Sequence, residues 1–393
     1  VKKRGHGEGT IYKRKDGKWE AKASIGCDPA TGKLKRVTRY FDTRKEAQDW
    51  LAQVQHEKKT GVFVEPDKTT VGAWVMRYLQ TYAKPKVKPN TFADYMDVLK
   101  NHIIPAIGTI PLQALRTSAI QELYNRKAES GRLDGKGGLS PRTIHLIHLV
   151  LNGALKQAVR ERLIQHNPAE YTVRPPMKHK EMAVLSPEEV NRYLETARED
   201  RLYAAFLLEL TTGLRRGELL ALTWDCVDFA KGAITVKQSL SRVRYAEEGF
   251  TRLEITDTKT EASKRTIPLL PEVVRELKAL KRKQAEEKLL FGPAYQDKNL
   301  VFATPTGTPI EPRNFYRKHA AMLKKAGLRH VRLHDLRHTF ATILLQEGEN
   351  PENLRDLLGH TKTSTTLDLY CHSTMEGKKK AVERLKTVLS SLS

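Results

Sequence analysis

From Trp19 to Ile25, apolar and polar positions alternate. Trp19, Ala21, Ala23 and Ile25 fall on one side, and Glu20, Lys22 and Ser24 on the other. A period of two predicts a strand with one packed face and one solvent face. Asp16-Gly17 just before it is a tight-turn pair, so Gly9 to Lys15 forms the other arm of a hairpin. Lys33 to Phe41 predicts a third strand after the turn cluster Asp28-Pro29-Ala30-Thr31-Gly32. Thr43 and Glu46 have capping-box spacing and open a helix through about Lys58. Its Trp50, Leu51 and Val54 would cover the sheet. From residue 69 to 175 the period becomes helical, predicting Val71–Tyr82, Thr91–His102, Ser118–Glu129 and Pro141–Arg162. Pro85, Pro89, Pro105 and Pro111 punctuate this region, and Ser130 to Gly138 is a loop. In the last of these helices Ile144, Ile147, Val150, Leu151 and Leu155 form the apolar stripe, with Lys156, Arg160 and Arg162 facing outward. Beyond Leu185 helices mix with β segments around Ala233–Val236 and Leu253–Pro268. The expected fold is multidomain and mainly α. A three-stranded sheet plus helix spans 1–62, an all-α domain 69–175, and an α+β domain with a C-terminal tail 180–393. Linkers fall near Gly61–Lys68 and Val173–Lys180.

Length and composition narrow the class. The 393 residues suggest two or three domains, and 39% hydrophobic content supplies real cores. No apolar run reaches the ~18 residues needed to span a bilayer, and Val1 to His6 lead into no signal-like apolar stretch. Cys27, Cys226 and Cys371 lie far apart, which supports neither a disulfide framework nor a cysteine zinc site. A soluble intracellular protein is expected. Lys and Arg number 69 against 46 Asp and Glu, a net charge of +23, which favours a polyanionic partner. Residues 1–62 hold 16 Lys/Arg against 8 Asp/Glu. A basic three-stranded sheet can enter a DNA major groove, although such a face is also simply well solvated.

Four segments of the last region gather residues suited to phosphate chemistry. In Thr211–Leu222, Arg215 and Glu218 stand three apart at the start of a helix and share a face. A guanidinium oriented by a carboxylate suits a bidentate grip on phosphate, but a surface ion pair has the same spacing. Thr258–Pro268 reads as a β-hairpin whose polar turn carries Lys259. Such a lysine can donate a proton, or merely decorate a solvated turn. In His334–Thr342, His334, Arg337 and His338 fall at i, i+3 and i+4 of one helical face. Histidines at i and i+4 can share a metal. Here the intervening pattern is not that of a zincin and Arg337 would repel a divalent ion, so phosphate is the better guest. Finally, His360 follows Gly359, where backbone can approach a ligand closely, and Tyr370 lies ten residues on. Any one of the 13 tyrosines is by itself an ordinary packing residue. Together the set matches phosphoryl transfer without a metal. Cations neutralise the non-bridging oxygens, a tyrosine hydroxyl attacks, and a protonated side chain serves the leaving oxygen.

The ordered motifs, TGLRRGELLAL at 212–222, the Thr258-Lys259-Thr260 hairpin, HDLRHTFAT at 334–342, LLGHT at 357–361 and the late Tyr370, resemble the tyrosine recombinases. Within that family the chain is similar to integrases of temperate phages and integrative conjugative elements. The resemblance covers the whole chain and implies an arm-type DNA-binding module, a core-binding helical domain and a catalytic domain. It implies Arg215 and Arg337 as catalytic arginines, Lys259 as general acid over its rivals Lys264 and Arg265, His334 and His360 as catalytic histidines, and Tyr370 as nucleophile. Glu218 and His338 would support them. It further implies a 3′-phosphotyrosine intermediate with no cofactor and no metal, and double-stranded DNA with arm-type and core-type sites as partner. A homotetramer working through a Holliday junction is expected, with DNA-bending and excision accessory proteins, in the cytoplasm and nucleoid of a bacterial host. The tail Glu376–Leu392, with Ala381, Leu385, Val388, Leu389 and Leu392 at helical spacing, is expected to dock on a neighbouring subunit. A type IB-like topoisomerase and an inactive DNA-binding regulator are the alternatives. The β-rich module speaks against the first, and the complete residue set against the second.

Overall fold

The N-terminal strands are Thr10–Lys13 (β1), Trp19–Cys27 (β2) and Leu34–Phe41 (β3), paired antiparallel in that order. Gly17 takes the turn at φ +85°, where a side chain would be strained. A helix at Arg44–Lys59 (α1) is closed by the expected Thr43/Glu46 capping box, and its Leu51 and Val54 pack on Ala23 with Ile11 and Trp50. One expectation fails here. Glu20 lies on the outer face, yet it is only 6% exposed because neighbouring side chains cover it.

The computed structural model describes residues 9–27, 31–61, 63–177, 182–257 and 264–360. Lys259, Tyr370, Cys371 and the tail at 376–392 lie outside the described residues. The chain divides into two units, Val1–Lys178 with Arg244–Phe250, and His179–Val243 with Thr251–Ser393. Among the described residues no helix is long and apolar enough to cross a membrane.

Between residues 69 and 175 the first unit is helical: Val71–Tyr78 (α2), Pro89–Val98 (α3), Ile104–Ile107 (α4), Thr117–Ser130 (α5) and Pro141–Arg160 (α6). Pro105 does not end its helix. A wider π turn at Leu99–Ile103 carries the chain from α3 into α4, relieving the ladder position where proline has no N–H. A second π turn, Leu79–Ala83, precedes Pro85. The predicted stripe of α6 is buried, and the Trp74 indole donates to the Ala154 carbonyl at 2.8 Å inside this core. Ser140 caps α6 by accepting the Thr143 N–H.

In the second unit, Pro187–Ala197 (α7), Tyr203–Thr212 (α8) and Arg216–Leu220 (α9) lead into strands Val227–Asp228 (β4) and Ala233–Val236 (β5). Gln238–Tyr245 (β6) and Phe250–Asp257 (β7) form their own two-stranded sheet. Arg265–Pro268 (β8) pairs with β5. The hairpin expected across Thr258–Pro268 falls largely outside the described residues, its turn at 258–263 included. Strand β7, which ends at Asp257, pairs with β6 through a turn near Gly249, and β8 pairs with β5. Pro271–Phe291 (α10), Pro312–Lys325 (α11), Leu333–Gln346 (α12) and Pro351–Leu358 (α13) complete the unit. Its core centres on α8, where Phe206 stacks on Phe315 with ring centroids 5.1 Å apart.

Candidate active site

The site is assembled where three helix ends meet: the turn between α8 and α9, the start of α12 and the end of α13. Helix α8 stops at Gly213, which adopts φ +62°; a Cβ there would sit 2.5 Å from the Phe340 ring. The chain turns over Leu214 and places Arg215 as the residue before α9. The Arg215 guanidinium donates to Glu218 at 2.7 Å, and the Glu218 carboxylate also accepts the Arg215 backbone N–H at 3.1 Å. The i, i+3 relation predicted from sequence is thus a buried, orienting bond. Its carboxylate is 4% exposed, unlike a surface pair.

A second arginine holds the same carboxylate. Arg265, on β8, donates from Nη2 to Glu218 at 2.8 Å and from Nε to the Leu357 carbonyl at 2.7 Å. Burial pushes the Glu218 carboxyl up, but Arg265 and then Arg215 outweigh it and hold the group below its ordinary value. Arg265 entered the sequence reading only as a rival to Lys259. Its side chain is 7% exposed and holds the buried Glu218 and the half-buried Leu357 carbonyl, so it does not stand where a solvent-facing acid would. A period-two reading of the strand held the missed signal, because Arg265 shares a face with the buried Ile267.

Arg337 is 1% exposed. It rises from the second turn of α12 and donates to the Gly213 carbonyl at 2.7 Å and the Leu358 carbonyl at 2.6 Å. A guanidinium has five N–H donors in a fixed fork, so these two bonds set its plane. Arg215 likewise reaches the Gly359 carbonyl at 3.2 Å. The two arginines thus converge on adjacent carbonyls at the end of α13. Gly359 takes φ +64° as the cap of that helix, so this glycine serves the turn itself and not only close approach by a ligand.

His360 emerges immediately after this cap, its N–H donating to the Arg355 carbonyl at 3.0 Å. Burial, then Arg337, Arg215 and Arg265, push its imidazole down to about 4. His334 and His338 pack edge to face with centroids 4.8 Å apart. Burial, then His334, drives His338 down to about 4, and burial, then Arg337 and Arg215, lowers His334. At neutral pH the three imidazoles are therefore uncharged, and the positive charge resides on the arginines. An arriving phosphate would reverse that balance, because an anion favours the protonated ring. Among the described residues, no three His, Cys, Asp or Glu side chains form a group able to hold a metal ion.

Polar bonds to a buried Asp335 and a buried His319 also brace α12. Asp335 accepts from Arg332 at 2.7 Å. His319 on α11 bonds the Tyr193 hydroxyl at 2.9 Å and the Val331 carbonyl at 3.0 Å, two residues before α12 begins. Sequence reasoning missed His319, a lone histidine on a helix with no motif around it.

Comparison with known proteins gives this arrangement a context. Residues 183–377 match the Phage integrase family, 70–128 the phage integrase N-terminal SAM-like domain and 10–58 the Arm DNA-binding domain. The chain is 31% identical over 386 residues to the tyrosine recombinase XerC-like protein of Caldanaerobacter subterraneus subsp. tengcongensis, covering 94% of this chain and 97% of that protein. It is 26% identical to the ICEBs1 integrase of Bacillus subtilis, covering 97% and 100%. The fold is similar to that of the Tn1549 transposon integrase solved in complex with transposon right end DNA. There the TM-score is 0.66 and the identity 24%, over 80% of this chain and 99% of that one. With its three matched domains and near full-length likeness to a tyrosine recombinase, the chain belongs to the phage integrase family of tyrosine recombinases, site-specific integrases that cut and rejoin DNA.

Proposed function

We propose that this recombinase integrates and excises a mobile genetic element, with Arg215, Arg337, His334 and His360 forming the pocket for the scissile phosphate. The observation that carries this reading is the convergence of Arg215 and Arg337 on the carbonyls of Leu358 and Gly359, beside His360. Tyr370 attacks the phosphorus, forming a 3′-phosphotyrosine and releasing a 5′-oxygen, which Lys259 protonates. The arginines offset the charge that builds on the non-bridging oxygens. The 5′-hydroxyl of a partner duplex then attacks the phosphotyrosine and regenerates Tyr370. The number of phosphodiester bonds is conserved, so no ATP is consumed. Glu218 orients Arg215, and His338 supports His334.

In this reading residues 1–62 hold arm-type sites, residues 69–175 grip core-type sites and residues 180–393 carry the chemistry. The working assembly is a tetramer on two sites, passing through a Holliday junction. Its tail, 376–392, docks on a neighbouring subunit, and host bending proteins and an excision factor set direction. The ICEBs1 and Tn1549 likenesses support a mobile-element role. The test is incubation with a nicked duplex drawn from the ends of the source element. A covalent protein–DNA adduct should form in EDTA and vanish in Tyr370→Phe. An adduct that requires a divalent ion, or survives Tyr370→Phe, overturns the reading.

A further inference from the structure

The outer face of the β1–β2–β3 sheet has an acid at its centre. Glu20 pairs in register with Tyr12 on one side and Tyr40 on the other. Lys22 reaches its carboxylate at 2.8 Å and Arg14 at 3.7 Å. The Lys22 ammonium also donates to the Tyr12 hydroxyl at 3.1 Å, and the Arg14 guanidinium lies 4.7 Å above the Tyr40 ring. These neighbours leave Glu20 6% exposed, while Tyr12 and Tyr40 remain 44% and 51% exposed. Hydrogen bonds from Lys22 and Tyr12 hold the carboxyl below its ordinary value, so it stays ionised.

A carboxylate on a face meant for a polyanion opposes binding by simple charge. A buried one, bonded to Lys22 and Tyr12 and ion-paired at 3.7 Å with Arg14, which Asp16 also holds at 3.2 Å, instead fixes where those groups point. Long side chains such as Lys and Arg lose much rotamer freedom when a contact orders them. Anchoring them in the free protein moves that loss from binding to folding. Fixed donors distinguish base edges, whereas loose ones settle on the nearest phosphate.

We propose that Glu20 is a positioning residue for sequence recognition by this sheet: it holds Tyr12, Lys22 and Arg14 in the array that reads the arm-type duplex, trading raw affinity for specificity. This rests on the proposed arm-site role of residues 1–62.

The test uses the full chain and a pool of random 30-base-pair duplexes. The parent protein should enrich a motif that Arg36→Ala, on the same face, no longer enriches; that motif and a scrambled duplex are the probes. Glu20→Gln removes a negative charge without changing size. A charge-only account predicts tighter binding to both duplexes. The positioning account predicts affinity for the motif falling by about tenfold, the scale of one lost base contact, while the scrambled duplex binds as well or better. Tyr12→Phe leaves charge unchanged and should lower the same ratio by a smaller factor. Tighter binding of Glu20→Gln to both duplexes, or equal weakening on both, overturns the proposal. If the parent enriches no motif sensitive to Arg36→Ala, the arm-site reading fails first and this proposal falls with it.

Discussion

At the scale of single residues, Glu218 and its two arginines carry the most consequence. Both guanidiniums need the carboxylate, but only Arg215 is partly exposed. Arg265 ties β8 to α9 and to the end of α13, three elements that bear or border the site. Arg265→Ala should cost about 3 kcal/mol of stability, because it breaks a buried ion pair and strands the Leu357 carbonyl. Arg265→Lys should recover only part of that, since an ammonium cannot span two acceptors in fixed directions. Urea unfolding of the three proteins, with adduct formation on a nicked duplex alongside, checks the order. If Lys restored full stability, the fork geometry would not matter. Arg215 and Glu218 were legible from their spacing. The partnership with Arg265 was not, because it joins residues 47 apart.

At the scale of elements, the site depends on how helices stop. Gly213 ends α8 in a left-handed turn and offers its carbonyl to Arg337, and Gly359 does the same for α13 and Arg215. Each carbonyl left over at a helix end becomes the acceptor that orients a cation. Gly213→Ala combines a strained φ with a Cβ 2.5 Å from the Phe340 ring, which must shift. It should destabilise by about 2 kcal/mol and lower the cleavage rate of the still-folded fraction, since Arg337 loses its reference point. Single-turnover cleavage measured well below the melting temperature separates the two effects. Unchanged cleavage there would show that the turn matters for stability alone. The predicted helices were recovered closely, with the same cap at Thr43. The strand pairing after Asp257 was not, since a turn residue pattern does not say which distant strand an arm will join.

At the scale of the whole molecule, stability should depend on acid in a particular way. Burial holds His319 down to about 4, and His338 and His360 likewise. Unfolded histidine titrates near ~6.5. Between about pH 6.5 and 4 the unfolded chain therefore binds protons that the folded chain refuses, and stability falls as pH falls. Glu209, fully buried, has its carboxyl pushed well up, so above pH 4.5 it contributes the opposite slope. Among the described residues His102, His148 and His334 are lowered as well, and Glu209 is the one carboxyl raised, so a net fall is expected. Denaturation midpoints should drop steadily from pH 7 to pH 5, and His338→Asn should flatten the fall. A flat profile in a Glu209→Gln background, where the opposing slope is gone, would mean the rings titrate in the folded chain as they do in the unfolded one.

The sequence by itself determined the local order of this protein: the periods of strands and helices, the caps, the basic excess and the succession of motifs around Arg215, His334, Arg337 and His360. These are properties of residues a few positions apart, and periodicity records them. Tertiary structure alone decided that Arg337 is anchored by a carbonyl 124 residues away, and that Arg215 reaches one 144 away. It decided too that Glu20, on a face expected to meet solvent, is buried, with Lys22 and Arg14 beside its carboxylate. The arginine contacts follow from packing between distant segments, and nothing in local spacing encodes them.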